Sequence, residues 1–171
     1  WYYEAVKYVT DQGIMNGTTP TTFSPMTTTS RAMIVTMLWR MEGSPVVNYR
    51  MDFTDVKEDA YYAEAVRWAA SEGIVDGYED GTFGPDKTVT REQMVTFLAR
   101  FARWSGLELQ TGGSLEDYAD AGSVSAYAEE AMAWAVSAGL LQGRSDGTLD
   151  PAGSATRAQT ATVLYRTLAN L

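Results

Sequence analysis

One stretch is written three times in this chain, and nothing else constrains the fold as strongly. Residues Gly73–Arg91 read GIVDGYEDGTFGPDKTVTR, Gly13–Arg31 read GIMNGTTPTTFSPMTTTSR, and Gly139–Arg157 read GLLQGRSDGTLDPAGSATR. The register holds without gaps. Gly17, Gly77 and Gly143 correspond, as do Pro25, Pro85 and Pro151, and so do Arg31, Arg91 and Arg157. A repeat of this length means three copies of one supersecondary unit. One such unit cannot bury enough apolar surface to be stable alone, so the copies must share a core. That leaves a short solenoid or a closed pseudo-threefold.

Each copy reads as helix, structured loop, helix. Tyr2, Ala5, Val6 and Val9 fall on one helical face, as do Tyr62, Ala65, Val66 and Ala69. Gly13 supplies a left-handed stop for the first of these helices. Ser30 is placed to cap the helix after the first loop. Thr90 with Gln93, and Thr156 with Gln159, form capping boxes for its counterparts. Apolar stripes follow: Met33, Met37, Leu38 and Met41, then Met94, Phe97, Leu98 and Phe101, then Val163, Leu164 and Leu168. Strand signals are few, so the class is mainly α. The units are expected at residues 1–45, 46–105 and 106–171, together one compact body. Residues 105–114, polar and Gly-rich, read as a flexible surface link. The first unit opens on Trp1 in mid-motif, which reads as a boundary within a longer protein.

Composition removes several functions. There is no cysteine and no histidine, so disulfides, thiolate chemistry and the commonest general base and metal ligand are absent. With 13 basic and 22 acidic residues the net charge is −9, which argues against a nucleic-acid partner. No apolar run approaches the ~18 residues of a membrane span. Nothing asks for a cofactor or a resident metal. A calcium loop around Asp76, Glu79 and Asp80 lacks the alternating ligand pattern and the distal Glu. Catalysis has little support either. Asp80 and Asp146 recur, but Pro20 stands at their place in the first copy, so the chain is expected to be non-enzymatic.

The candidate site residues come from the repeat. Arg31, Arg91 and Arg157 fall at the first helical position, where the macrodipole disfavours a cation by about 0.3–1 kcal/mol. Two readings explain an arginine there three times. Beside free backbone N–H groups it makes an anion site for a carboxylate or phosphate; or it closes a salt bridge between units, to Asp55 or Asp120. The loop residues Gly77, Asp80, Gly143 and Asp146 also carry two readings. They form a turn whose Phe83 or Leu149 plugs the core, or small residues there, with Gly17, let a ligand approach the backbone. Trp68 and Trp134 read as packing residues. Trp1, Tyr61 and Tyr127, at helix starts, could stack on a sugar.

These residues resemble a known family, the S-layer homology module of bacterial cell-surface proteins. Gly73-Ile74, Gly77, Asp80-Gly81-Thr82-Phe83, Pro85 and Thr90-Arg91-Glu92 carry the likeness. Gly139-Leu140, Gly143, Asp146-Gly147-Thr148, Pro151 and Thr156-Arg157-Ala158 carry it again. Asp52-Phe53-Thr54-Asp55-Val56 and Tyr118-Ala119-Asp120-Ala121 resemble the segment that precedes the first helix. The first copy departs most: its loop is Thr18-Thr19-Pro20-Thr21-Thr22, and the leading Asp-Val segment would lie before Trp1. Met33, Gln93 and Gln159 replace the family's Glu at the helix start. The resemblance implies a pseudo-threefold spindle with grooves between units. It implies export, and non-covalent anchoring to an acidic, pyruvylated polysaccharide linked to peptidoglycan. In that role the three arginines would reach the ligand's acid group. The alternative is a protein-binding or self-assembling module of a surface layer.

Overall fold

The computed structural model describes residues 1–110 and 112–169. Among them are six α-helices: α1 (Tyr3–Asp11), α2 (Arg31–Met41), α3 (Ala63–Ser71), α4 (Arg91–Trp104), α5 (Glu129–Ser137) and α6 (Arg157–Leu168). Two short 3-10 turns, Ala121–Ser123 and Ala126–Ala128, precede α5. No strand forms among the described residues; β contacts are limited to isolated bridges.

The helix ends follow from the repeated residues. Gly13, Gly73 and Gly139 each sit at φ +69°. The residue after each glycine donates its N–H back into the helix, Ile14 to Val9, Ile74 to Ala69 and Leu140 to Ala135. That is the Schellman stop, with the apolar residue beyond it buried. At the other end, Thr90 Oγ1 accepts from Gln93 N while Gln93 Oε1 accepts from Thr90 N, and Thr156 with Gln159 does the same. Ser30 caps α2 alike, but its own N–H meets only the Met33 sulfur at 3.5 Å.

Helix pairing runs between units. Helix α1 packs on α6, α3 on α2 and α5 on α4. So the first helix of each unit rests on the second helix of another. Trp68, Trp134, Phe83 and Leu149 are buried in the single core cluster, as expected of packing residues and core plugs. A ring of backbone bonds ties the units where the loops meet. Thr29 N donates to Ala155 O, Ala155 N to Val89 O, and Val89 N to Thr29 O. Three bonds that return to their origin require each unit to touch the other two.

Of the link expected at residues 105–114, residue 111 lies outside the described residues. Leu107 and Leu109 pack against the core, and a Cβ on Gly113 would run into the Ala133 carbonyl.

Candidate functional site

The three arginines are the first residues of α2, α4 and α6, and each is only 4–5% exposed. Their N–H groups are not free, contrary to the sequence expectation. Arg31 N donates to Lys87 O and Ala32 N to Pro85 O. Arg91 N and Glu92 N donate to Gly153 O and Pro151 O, and Arg157 N and Ala158 N to Thr27 O and Pro25 O. The loop of the next unit thus satisfies the helix end with its own carbonyls, which carry the negative charge the macrodipole favours.

Nor do the side chains bridge to carboxylates. Arg31 Nε donates to Phe83 O at 2.9 Å and its Nη2 to Asp76 O at 2.9 Å. Arg91 binds Leu149 O and Gln142 O at 2.8 and 3.1 Å, and Arg157 binds Phe23 O and Asn16 O at 2.9 and 2.6 Å. Asp55 and Asp120, the partners of the salt-bridge reading, are spent elsewhere. Asp55 accepts from Phe83 N and Gly84 N, and Asp120 from Leu149 N and Asp150 N. Each guanidinium therefore keeps three of its five N–H donors and its full charge, held by neutral carbonyls. Burial lowers all three arginines from their ordinary pKa without neutralising them. Aromatic faces add to this: Arg31 lies 4.8–5.1 Å from the rings of Tyr78, Phe83 and Phe97, and Arg157 lies 4.5 Å from Phe23.

Each arginine opens onto a groove to which all three units contribute. The first holds Arg31, Asp76, Gln93, Arg100 and Tyr127, with a volume of ≈ 190 Å³. The second holds Trp1, Arg91, Gln142, Gly143 and Arg166, at ≈ 200 Å³. The third, at ≈ 500 Å³, holds Asn16, Gly17, Arg40, Tyr61 and Arg157. Helix pairing explains the aromatics: α1 on α6, α3 on α2 and α5 on α4 carry Trp1, Tyr61 and Tyr127 to the groove walls. They are 79%, 64% and 56% exposed, open enough to stack. Tyr127 is pushed up to about 12 by burial and by the Glu92 carboxylate that accepts its hydroxyl.

The remaining candidates are loop-holding residues. Asp80 Oδ1 accepts from Thr82 N and Oγ1, and Asp146 Oδ1 from Thr148 N and Oγ1, which lowers both carboxyls. A Cβ on Gly77 would strike the Phe53 ring, one on Gly143 the Tyr118 ring, and one on Gly17 the Thr19 and Thr22 carbonyls. The missed residues are Arg40, Arg100 and Arg166. They line the three grooves and donate to Ile14 O, Ile74 O and Leu140 O. The signal was available, because each stands at one fixed distance beyond its cap arginine.

Comparison with known proteins agrees with this repeat. The S-layer homology domain model matches residues 1–32, 52–95 and 117–161. An endoglucanase of Bacillus sp. (strain KSM-635) is 33% identical over 96% of this chain and 17% of its own length. The surface-layer 125 kDa protein of Lysinibacillus sphaericus is 32% identical over 98% of this chain and 14% of its own length. A cellulosome-anchoring protein of Acetivibrio thermocellus is 27% identical over 85% of this chain and 33% of its own length. The chain spans less than a fifth of the first two relatives.

Proposed function

The chain belongs to the S-layer homology domain family, and on that premise we propose that it anchors an exported protein at the bacterial cell surface. It does so without covalent linkage, by binding an acidic, pyruvylated wall polysaccharide in the grooves between its units. The units, at 1–45, 46–105 and 106–171, form a pseudo-threefold spindle. The module itself is not catalytic, and relatives named as an enzyme, a surface-layer protein and an anchoring protein match this chain over 17%, 14% and 33% of their own length.

One observation carries the reading. Arg31, Arg91 and Arg157 are buried cations held by neutral carbonyls, with no ion pair to a carboxylate among the described residues. A buried charge without a counter-ion is costly, and a ligand carboxylate matched to the guanidinium fork relieves that cost. An exposed aromatic stands in the same groove to take the sugar face. Asp80, Asp146, Gly17, Gly77 and Gly143 serve the site by holding the loops whose carbonyls orient the arginines. Three weak sites on one body give avidity on a repeating polymer, and a net charge of −9 is no obstacle when the cations are local.

The test is sedimentation with cell-wall sacculi that are untreated, mildly acid-treated to remove ketal pyruvate, or stripped of polysaccharide. The reading predicts binding to the first alone. Binding that survives mild acid and is lost on stripping would move recognition to the neutral sugars. No binding to untreated sacculi would favour a protein partner or self-association.

A further inference from the structure

The three groove aromatics are held differently. Trp1 and Tyr61 are each followed by a second ring, Tyr2 and Tyr62, edge-on at 4.9 and 5.0 Å. Ala128 follows Tyr127, so the third unit lacks that brace. A hydrogen bond stands in its place: Tyr127 Oη donates to Glu92 Oε1 at 3.2 Å. Glu92 is 6% exposed and lies behind the wall of the Arg31 groove, outside its lining. It is fixed in turn, since Ser125 Oγ donates to Oε1 at 2.7 Å and Ser125 N to Oε2 at 3.0 Å. The contacts run from α4 of the second unit to the turn before α5 in the third. They end at a ring that shares a groove with Arg31 of the first. The other copies are built differently at these positions. Ala32 and Ala158 stand where Glu92 stands, and Asp59 stands where Ser125 does. Because α3 packs on α2 as α5 packs on α4, a glutamate at position 32 would face an acid rather than a hydroxyl donor.

We propose that Glu92 is a positioning residue: without touching ligand, it holds the Tyr127 ring as a fixed platform for a pyranose face beside Arg31. This deepens the polysaccharide reading above and rests on it. Stability alone does not account for the contact, because the ring is 56% exposed and gains little burial from being held. A ring free to turn loses that freedom when a sugar stacks on it, whereas an anchored ring has lost it already. Burial and the Glu92 carboxylate also keep the phenol protonated. Its proton therefore stays with Glu92, and the lone pairs of its oxygen are left to accept from a sugar hydroxyl.

Nitrogen-15 NMR titration reads each groove through its arginine Nε–H, which is hydrogen-bonded in all three. The probe is a methyl hexosaminide bearing a pyruvate ketal. Glu92→Ala places there the residue already found as Ala32 and Ala158, and Tyr127→Phe removes the hydroxyl while keeping the ring. Each change should weaken binding at Arg31 by roughly three- to tenfold and leave binding at Arg157 unchanged. The double variant should bind no more weakly than Tyr127→Phe, because Glu92 acts only through that hydroxyl. Unchanged binding at Arg31 in Glu92→Ala, equal losses at Arg31 and Arg157, or additive losses in the double variant would overturn the positioning role and leave Glu92 a structural tie. An Arg31 signal that stays still in the parent while that of Arg157 moves would overturn it too. If no arginine signal moves in the parent, the polysaccharide reading itself is overturned, and this inference with it.

Discussion

In the second unit the loop is tied down by carboxylates: Asp80 holds Thr82, and Asp55 grips the N–H groups of Phe83 and Gly84. In the first unit's loop Pro20 stands where Asp80 stands in the second. Thr18 N and Thr19 N both donate to Thr22 O, and Thr18 Oγ1 meets Ser24 Oγ at 2.7 Å. Yet the two loops deliver the same parts. Phe83 O and Phe23 O both receive a cap arginine, and Pro85 O and Pro25 O both receive a helix N–H. Even the left-handed residue is kept, as Gly84 at φ +71° and Ser24 at φ +55°. What recurs is the placement of backbone carbonyls. The side chains that achieve it are exchangeable, so a loop can lose its Asp-Gly and still build a groove, here the largest of the three.

The two loops differ most at the plug. Phe83 is fully buried and Phe23 only partly, so Phe83→Ala should cost about 4 kcal/mol and Phe23→Ala clearly less. Urea unfolding measures both; equal losses would mean that the loops are not anchored differently. Next comes Arg91→Ala, which strands two loop carbonyls and should cost about 3 kcal/mol while also weakening wall binding. Loss of binding with unchanged stability would show that the carbonyl contacts carry no weight. Ser24→Gly should be within about 0.5 kcal/mol of neutral, since glycine accepts φ > 0 without penalty but loses the hydroxyl contact to Thr18 and adds freedom to the unfolded chain. Alanine there should destabilise more than glycine, because it loses the same contact and keeps the Cβ at φ > 0.

The smallest effect is in pH. Asp80 and Asp146 have lowered pKa values because Thr82 and Thr148 hydrogen-bond their ionised forms. A depressed carboxyl stabilises the fold above its unfolded pKa, and that contribution is lost as pH falls through the lower folded value. Stability should therefore fall slightly more steeply below pH ~4 in the parent than in Asp80→Asn/Asp146→Asn, read from thermal midpoints. The first loop has no aspartate at that position and contributes nothing to this slope.

How much of this was legible in the sequence depends on whether a side chain or the backbone does the work. Capping boxes, glycine stops, apolar stripes and the Phe83 and Leu149 plugs are side-chain statements, and each is found where the repeat put it. The arginines were legible as a puzzle at the helix start but not in their solution. Their partners are carbonyls of Phe23, Phe83 and Leu149, and a carbonyl has no residue identity to read. Which unit they reach was equally hidden, because neither a solenoid nor a closed ring leaves a local signature. Arg40, Arg100 and Arg166 went unread for a different reason. A lone arginine late in a helix resembles an ordinary solvated residue, and only its recurrence in register marks it.

The most direct test of the account is a crystal structure with a pyruvylated disaccharide fragment of the wall polysaccharide. The ligand carboxylate should lie on the open face of Arg157, with Arg40 beside it and the sugar ring against Tyr61. A fragment bound outside the grooves, or one seated there with its carboxylate turned to solvent, would contradict it.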